Sequence, residues 1–348
     1  MFGLRLKTFV IRRLLLLVPV LIGLTIITFS LSNVVTDPVS AWTTDRTPPA
    51  VVEQIRKAHH FDEPLPVQYY YYLSDLLHGD WGLSHSLSDE PVMQIIRRTF
   101  PATVELAIVA TVIQIAVGIP LGIVSAVKKD KAPDHASRLL ALGGASIPIF
   151  WLALLMQYVF FYSLKLAGLP YLPSTGRLSE FVLLQYPLTR ITGFVILDSV
   201  LTGNIPVLED ALVHIIMPAF VDGFIGLGLI TRITRSSMLE MMRQDYVILA
   251  RAKGLPERVV IYKHALKNAI NPTITVVGTS FGFILAGAPI TETVFSWPGM
   301  GKWAAFAIVS LDRAAIMGFV IIAGVIFILV NLFVDILYSV ADPRVRYG

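Results

Sequence analysis

The chain has 348 residues, of which 55% are hydrophobic and 15% are charged, and its mean hydropathy is +0.70. Soluble globular chains carry about 25% charged residues, so this composition predicts an all-α integral membrane protein and not a soluble one. The net charge of +4 does not indicate a nucleic-acid partner, because the basic residues are confined to short segments between apolar runs. The chain contains no cysteine, which excludes disulfides and thiol chemistry.

Six segments are long and apolar enough to cross a bilayer, which takes about 20 helical residues. They are residues 11–31, 102–127, 139–166, 213–233, 270–290 and 314–340. The first is interpreted as an uncleaved span, because the apolar core of a signal peptide is only about 7–15 residues long. A seventh candidate, residues 181–201, carries Arg190 near its middle, where a charge is costly. We therefore expect that segment to be exposed or interfacial.

The distribution of basic residues sets the predicted orientation. With six spans, eighteen of the 28 Lys and Arg residues lie on the side of both termini. Cytoplasmic loops carry the excess of basic residues, so both termini are expected in the cytoplasm of a prokaryotic cell. The predicted division is an N-terminal region, residues 1–100, and a membrane-embedded core, residues 101–348. The N-terminal region includes an extracytoplasmic lobe over residues 32–101.

Two helices are predicted in the outer lobe. The first follows Thr47, which is expected to be its N-cap, and the second runs over residues 66–77 and ends at Gly79. Residues 69–72 are four consecutive tyrosines, which could form a stacking platform for a ligand. Consecutive helical residues point in different directions, so packing is the favoured interpretation.

The inner segment, residues 234–267, has the pattern of two short helices joined by a turn. A helix over residues 243–253 is predicted to end at Gly254 in the left-handed conformation, and a second is predicted over residues 256–269. This would form a basic projection on the cytoplasmic side. The alternative is a solvated loop that only carries the positive-inside charge.

Asp222 lies near the middle of the fourth predicted span, where an ionisable group faces protein or water. One hypothesis is that it lines a translocation route; the other is that it is a protonated or hydrogen-bonded aspartate between helices. The sequence has no G-x-x-x-x-G-K-[ST] phosphate loop and no convergent catalytic set. The seven histidines are dispersed, so neither a metal site nor a cofactor bound by this chain is predicted.

Several separated motifs resemble one transporter family. Residues 245–255, DYVILARAKGL, resemble the cytoplasmic coupling loop of ATP-binding-cassette importer permeases, and in particular those of the dipeptide, oligopeptide and nickel branch. Residues 264–269, 292–301, 342–345, 79–82 and 101–105 extend the likeness over nearly the whole chain. Of the Glu-Ala-Ala in the general loop pattern only the last residue, Ala250, is kept. The peptide branch commonly departs in this way.

The resemblance implies a type I importer permease that is not itself an enzyme. It would pair with a homologous second permease and with two ATPase subunits that hold ATP and Mg, and it would receive substrate from an extracytoplasmic binding protein. The residues implied to contact an ATPase groove are Asp245, Ala250, Arg251, Ala252, Lys253, Gly254 and Leu255.

Di- or oligopeptides are the cargo that the resemblance favours, with oligosaccharides or nickel chelates as alternatives. The segment 176–210 looks long for the shorter family members. A secondary carrier or channel is a more distant alternative. It predicts inverted repeats, and none is convincing here. A membrane-embedded enzyme or a non-transporting scaffold would be further classes.

Overall fold

The computed structural model describes residues 2–35, 39, 43, 47–87 and 89–341. This part of the chain is mainly helical, with one hairpin of two two-residue strands, β1 (Leu83–Ser84) and β2 (Glu90–Pro91). Helices satisfy every backbone hydrogen bond internally, which a lipid environment demands.

The α-helices contain most of the described residues. In chain order they are α1 (Phe2–Val35), α2 (Pro49–Ala58), α3 (Leu65–His78), α4 (Val92–Ile113), α5 (Ile119–Val127), α6 (Ala132–Ser146), α7 (Ile149–Met156), α8 (Leu164–Leu166), α9 (Glu180–Gln185), α10 (Val195–Leu201), α11 (Ile205–Met241), α12 (Asp245–Ala252), α13 (Glu257–Val259), α14 (Leu266–Leu285), α15 (Pro289–Val294), α16 (Met300–Val309) and α17 (Arg313–Ala341).

Among the described residues, three π-helical segments join neighbouring α-helices into longer rods. Gln114–Gly118 links α4 to α5, Gln157–Ser163 links α7 to α8, and Val260–Ala265 links α13 to α14. A π-helical turn inserts extra residues, changes which face the following helix presents and often marks a functional position. Hydrophobic periodicity did not reveal these segments.

Within the described residues, four helical rods are long and apolar enough to cross a membrane. They are Val92–Val127, Ile149–Leu166, Ile205–Met241 and Arg313–Val334, and shorter apolar stretches lie at Leu15–Ser30 and Met300–Val309. The predicted second, fourth and sixth spans fall on three of these rods. The full count of six spans, the sidedness of the termini and the extracytoplasmic position of the lobe stay predictions.

The predicted third span, residues 139–166, is wrong as one continuous helix. The helix breaks between α6 and α7, where Ile147 is extended and Pro148 precedes the next helix. Proline pushes the residue before it out of the α conformation, so Ile147 cannot continue α6.

The predicted fifth span, residues 270–290, also has different ends. A single rod starts at Glu257 and runs through the π segment to Leu285, so the predicted helix 256–269 is its first part. The rod ends five residues earlier than predicted, and the separate helix α15 starts at Pro289. The candidate seventh span contains only the short helices α9 and α10, in agreement with its rejection.

Helix α11 lies at the centre of the bundle and packs against α4, α5, α6 and α14. The approach is close, because a Cβ added at Gly228 would lie 2.6 Å from the carbonyl oxygen of Ala141 in α6. A Cβ at Gly122 in α5 would lie 2.6 Å from Thr234 Cβ. Small residues therefore bring three helices together at the end of the bundle that carries residues 128–138 and 243–256. We call this the inner end, and the opposite end the outer end.

The outer helix α3 is attached to α1 by its tyrosines. The rings of Tyr69 and Tyr72 both lie 5.5 Å from that of Phe29, and the Tyr69 and Thr25 hydroxyls are 2.9 Å apart. The packing interpretation is confirmed for these two residues. Gly79 ends α3 in the left-handed conformation, as predicted. The prediction of Thr47 as N-cap is wrong, because the chain turns into α2 at Pro48.

Candidate functional site: the inner turn after helix α12

Helix α12 is a two-turn helix that lies against the inner end of the bundle. It follows Gln244, which is extended, and Asp245 stands in its first turn, where a negative charge interacts favourably with the helix dipole. Val247 and Ala250 are buried at 0% and 5% exposure, one turn apart on the same face. The remaining residues of the helix face outwards.

A glycine turn ends the helix. Gly254 has a φ of +72°, its N–H donates to the carbonyl of Arg251 at 2.9 Å, and the N–H of Leu255 donates to that of Ala250 at 3.4 Å. These two bonds form a Schellman motif, so the predicted left-handed turn is confirmed. Arg251 Nη2 also donates to Glu257 Oε1 across the turn at 2.7 Å, and this bond lowers the pKa of Glu257 below its usual value.

The buried face of α12 contacts several rods at once. Val247 and Ala250 belong to one apolar cluster with Met238 of α11, Ile123 of α5 and Val260 of the π segment. Packed interiors move as units and do not deform continuously. A displacement of α12 would therefore be passed directly to the inner ends of these rods.

The exposed face differs from the sequence prediction in one respect. Of the residues expected to contact an ATPase groove, Ala250 is packed inwards, whereas Asp245, Arg251, Ala252, Lys253, Gly254 and Leu255 are exposed. Ile248 and Leu249, which the sequence prediction did not include, are 54% and 55% exposed. The sequence contained a clue to this. The eight-residue helix carries apolar residues on two faces, and packing against the bundle covers only one of them.

A buried carboxylate at the inner end of the bundle joins α6 to α11. The Asp134 side chain is 0% exposed. It accepts hydrogen bonds from Arg235 Nε at 2.8 Å, Arg138 Nη2 at 2.6 Å and Ser125 Oγ at 2.5 Å. The hydrogen bonds from Arg235, then those from Arg138 and Ser125, hold the pKa of Asp134 well below its usual range. Asp134 stays charged at neutral pH and holds Arg235 of α11, ten residues before α12 begins.

Asp222 lies inside the bundle, in contact with the outer part of the chain. Its Oδ1 accepts from Thr291 Oγ1 of α15 at 2.5 Å, and its backbone carbonyl lies 3.5 Å from Gln114 Nε2 in the first π segment. Asp222 Oδ2 and Gln114 Oε1 have no partner among the described residues. The geometry is that of a hydrogen-bonded aspartate between helices, and its role in a translocation route stays a prediction.

Comparison with known proteins identifies the type of protein to which these features belong. Residues 118–347 match the family of binding-protein-dependent transport system inner membrane components, and residues 6–107 match the N-terminal region of such membrane components. The chain belongs to this permease family. It is accordingly a multi-pass protein of the cytoplasmic membrane and a transporter subunit without catalytic function of its own.

Three relatives show how far the similarity extends. The permease is 44% identical to the probable D,D-dipeptide transport system permease protein of Escherichia coli over 95% of both chains. It is 41% identical to the dipeptide transport system permease protein of Alkalihalophilus pseudofirmus, over 97% of this chain and 99% of the relative. It is 40% identical to the dipeptide transport system permease protein of Escherichia coli, over 97% and 98% respectively.

The outer motif of the permease, residues 292–301, folds around its own glutamate. Glu292 Oε1 accepts from Thr103 Oγ1 at 2.8 Å, and Oε2 accepts from the N–H of Lys302 at 2.8 Å. Trp297 Nε1 donates to the carbonyl of Ala102 at 2.8 Å. A Cβ at Gly299 would overlap the Glu292 carboxylate. The motif is therefore a compact cap fixed to the outer part of α4.

Proposed function

We propose that this permease is the membrane-spanning subunit of an ATP-driven importer for di- or oligopeptides. It would form half of the translocation path, with a homologous permease as the other half. The names of the relatives that are 40–44% identical over at least 95% of this chain support the peptide cargo. Since the sequence lacks a phosphate loop, ATP and Mg would be held by two partner ATPase subunits.

The observation that carries the energy-coupling part of the proposal is the packing of α12. Its buried face contacts α5, α11 and the π segment before α14, while Ile248, Leu249 and Leu255 are exposed. Exposed apolar side chains on a rigid short helix are suited to a groove on another subunit. ATPase closure would push this helix and so shift the rods between two packed arrangements. Such coupling requires two states that both ligands bias.

Substrate would reach the outer end from an extracytoplasmic binding protein. The cap around Glu292 joins α15 and α16 to α4 by hydrogen bonds. A movement of the cap on docking of the binding protein would therefore also move α4, which is part of a membrane-crossing rod. The Asp222–Thr291 bond connects the same cap to α11, which continues inwards to α12. Helix α11 would thus connect the surface that docks the binding protein with the helix that contacts the ATPase.

The proposal is tested by reconstituting the permease with its partner permease, ATPases and binding protein in proteoliposomes. We expect uptake of radiolabelled dipeptide that requires internal ATP, external binding protein and all membrane subunits. Uptake that is driven by an ion gradient without ATP would contradict the proposal and indicate a secondary carrier. If a nickel chelate or an oligosaccharide were taken up in an ATP-dependent manner and no peptide were, the chain would still be an importer subunit, but the proposed peptide cargo would be wrong.

A further inference from the structure

A basic cavity of about 700 Å³ lies at the inner end of the bundle, between α5, α6 and α11. Four basic residues line it, Lys129, Arg138, Arg232 and Arg235, together with hydroxyl side chains that include Ser137 and Ser236. Cavities of 300–1,000 Å³ are the size of ligand sites in proteins. The permease function proposed above does not use this cavity.

The positive charges of the cavity are only partly neutralised. Arg138 and Arg235 bind Asp134, and Lys129 is 3.7 Å from Asp130. Arg232, by contrast, has no hydrogen bond or ion pair with any residue in the described part of the chain and is exposed. Two acidic groups thus face four basic ones, and the cavity is suited to an anion.

The walls of the cavity are apolar on the side towards the membrane. Leu142 of α6 lines the cavity and is 61% exposed. On α11, Arg232 continues a stripe with Leu229 and Ile225, at the spacing that puts residues on one helix face, and both are exposed. The basic groups therefore stand where two apolar helix surfaces end. This is how Arg and Lys side chains are placed at the boundary of a bilayer.

We propose that this cavity binds the head group of an anionic phospholipid of the inner leaflet. The phosphate would contact Arg232 and Lys129, and the acyl chains would lie along Leu142 and Leu229. Guanidinium groups form strong, charge-assisted hydrogen bonds with phosphate oxygens, and basic pockets between membrane helices on the cytoplasmic side are suited to such head groups. The apolar walls favour a lipid over a free phosphate ion or an acidic protein side chain.

The site would also connect lipid composition to the coupling segment. Arg235 faces the cavity and holds Asp134, and α11 reaches α12 within four residues of its end. A head group bound here would stabilise the contact between α6 and α11 at Arg235, three residues before Met238, on which α12 packs. The inference requires that the chain is a membrane protein whose inner end faces the cytoplasm, and it stands whether or not the cargo is a peptide.

The test measures lipid binding directly, on the assembled transporter. Native mass spectrometry of the detergent-solubilised complex would be recorded during titration with phosphatidylglycerol or with phosphatidylcholine. We expect phosphatidylglycerol to bind at least tenfold more tightly. The double variant Arg232→Gln/Lys129→Gln should weaken its binding about tenfold or more, because each basic group near an anionic lipid contributes about 1 kcal/mol.

A matched control is Lys128→Gln/Arg243→Gln. It removes two exposed basic residues at the same end of the bundle that do not line the cavity, so phosphatidylglycerol should bind as tightly as to the unaltered protein. Equal affinity for both lipids, or equal loss in both double variants, would overturn the inference. Displacement by millimolar inorganic phosphate would assign the cavity to a soluble anion instead. A site that binds lipid in the isolated permease but not in the assembled complex would be a subunit interface.

Discussion

Asp134 and Arg235 are 101 residues apart in sequence, and their side chains form a two-point ion pair at 2.8 Å and 2.9 Å. The carboxylate belongs to α6 and the guanidinium to the inner end of α11. Arg138 and Ser125 bind the same carboxylate, so three elements meet at one buried charge. Removing the carboxylate would leave Arg235, whose side chain is only 19% exposed, without its ion partner.

The first prediction is that Asp134→Ala lowers the stability of the purified permease by about 3 kcal/mol, the cost of breaking a buried ion pair. A thermal melt in detergent at neutral pH would measure it. Asp130→Asn is the control, because Asp130 lies in the turn just before α6 and its side chain is 66% exposed. Exposed pairs contribute about 0–1 kcal/mol. Equal melting of the two variants would contradict the structural role of Asp134.

The pH dependence of this group follows from the same bonds. Arg235 holds the pKa of Asp134 below its usual value, so the native state favours the charged form. Its contribution to stability is complete above the unfolded pKa, about 3.9, and is lost as the pH falls towards the lower native pKa. Asp134→Asn should therefore flatten the loss of stability below pH 4 and leave its pH dependence between 6 and 8 unchanged.

The second prediction concerns Gly254. Its φ of +72° is the left-handed conformation, and a Cβ there would meet nothing within 4 Å. Gly254→Val should cost about 1–2 kcal/mol of backbone strain and misplace α12, so that ATP hydrolysis continues without peptide uptake. Both activities would be measured in proteoliposomes. Asparagine adopts this conformation far more readily, so Gly254→Asn should retain coupling. Full transport by the valine variant would refute the role of the turn.

The sequence predicted this turn because its causes are local. Gly254 and Pro256 lie beside the helices that they end and begin, as Gly79 does for α3, and helix ends are encoded within a few residues. The apolar runs likewise identified the rods at 92–127, 205–241 and 313–334, because each run needs only its own composition to be recognised.

The buried polar contacts could not be predicted in the same way. Asp134 with Arg235, and Asp222 with Thr291, depend on the packing of elements that are distant in sequence. Asp222 was conspicuous only because of its depth in an apolar run, and that depth did not reveal its partner. The break before α7 could have been predicted, because Pro148 is visible in the sequence and disfavours a helical residue before it. The criterion of about 20 continuous apolar residues was given more weight.

The third prediction separates the two hypotheses for Asp222. Its Oδ1 accepts from Thr291, and its Oδ2 has no partner within the described residues. If Asp222 acts on cargo, Asp222→Asn should reduce uptake several-fold at unchanged membrane abundance, while Thr291→Val, which removes only the donor, should have a smaller effect. Uptake assays with immunoblots would measure both. Equal effects would indicate that Asp222 serves only to hold α15 against α11.

The fourth prediction concerns the outer cap. A Cβ at Gly299 would overlap the carboxylate of Glu292, which is held by Thr103 and Lys302. Gly299→Ala should therefore displace the cap and cost about 1–3 kcal/mol, as overpacking of a tight interior does. Gly23→Ala is the control, since a Cβ at that helical position meets nothing within 4 Å. A thermal melt that is unchanged by Gly299→Ala would show that the cap adjusts freely.

The fifth prediction tests the orientation on which the coupling mechanism depends. The chain has no native cysteine, so a single introduced thiol reports its own exposure. Lys253→Cys should be labelled by a membrane-impermeant maleimide in inside-out vesicles from cells that lack the ATPase subunits, and protected in right-side-out ones. Leu184→Cys, at a position 83% exposed in the predicted outer segment, should show the reverse. Lys and Arg mark the cytoplasmic side, and eight of them lie in residues 232–267. Labelling of residue 253 from the outside would place α12 beyond the reach of any cytoplasmic ATPase and end the proposed coupling.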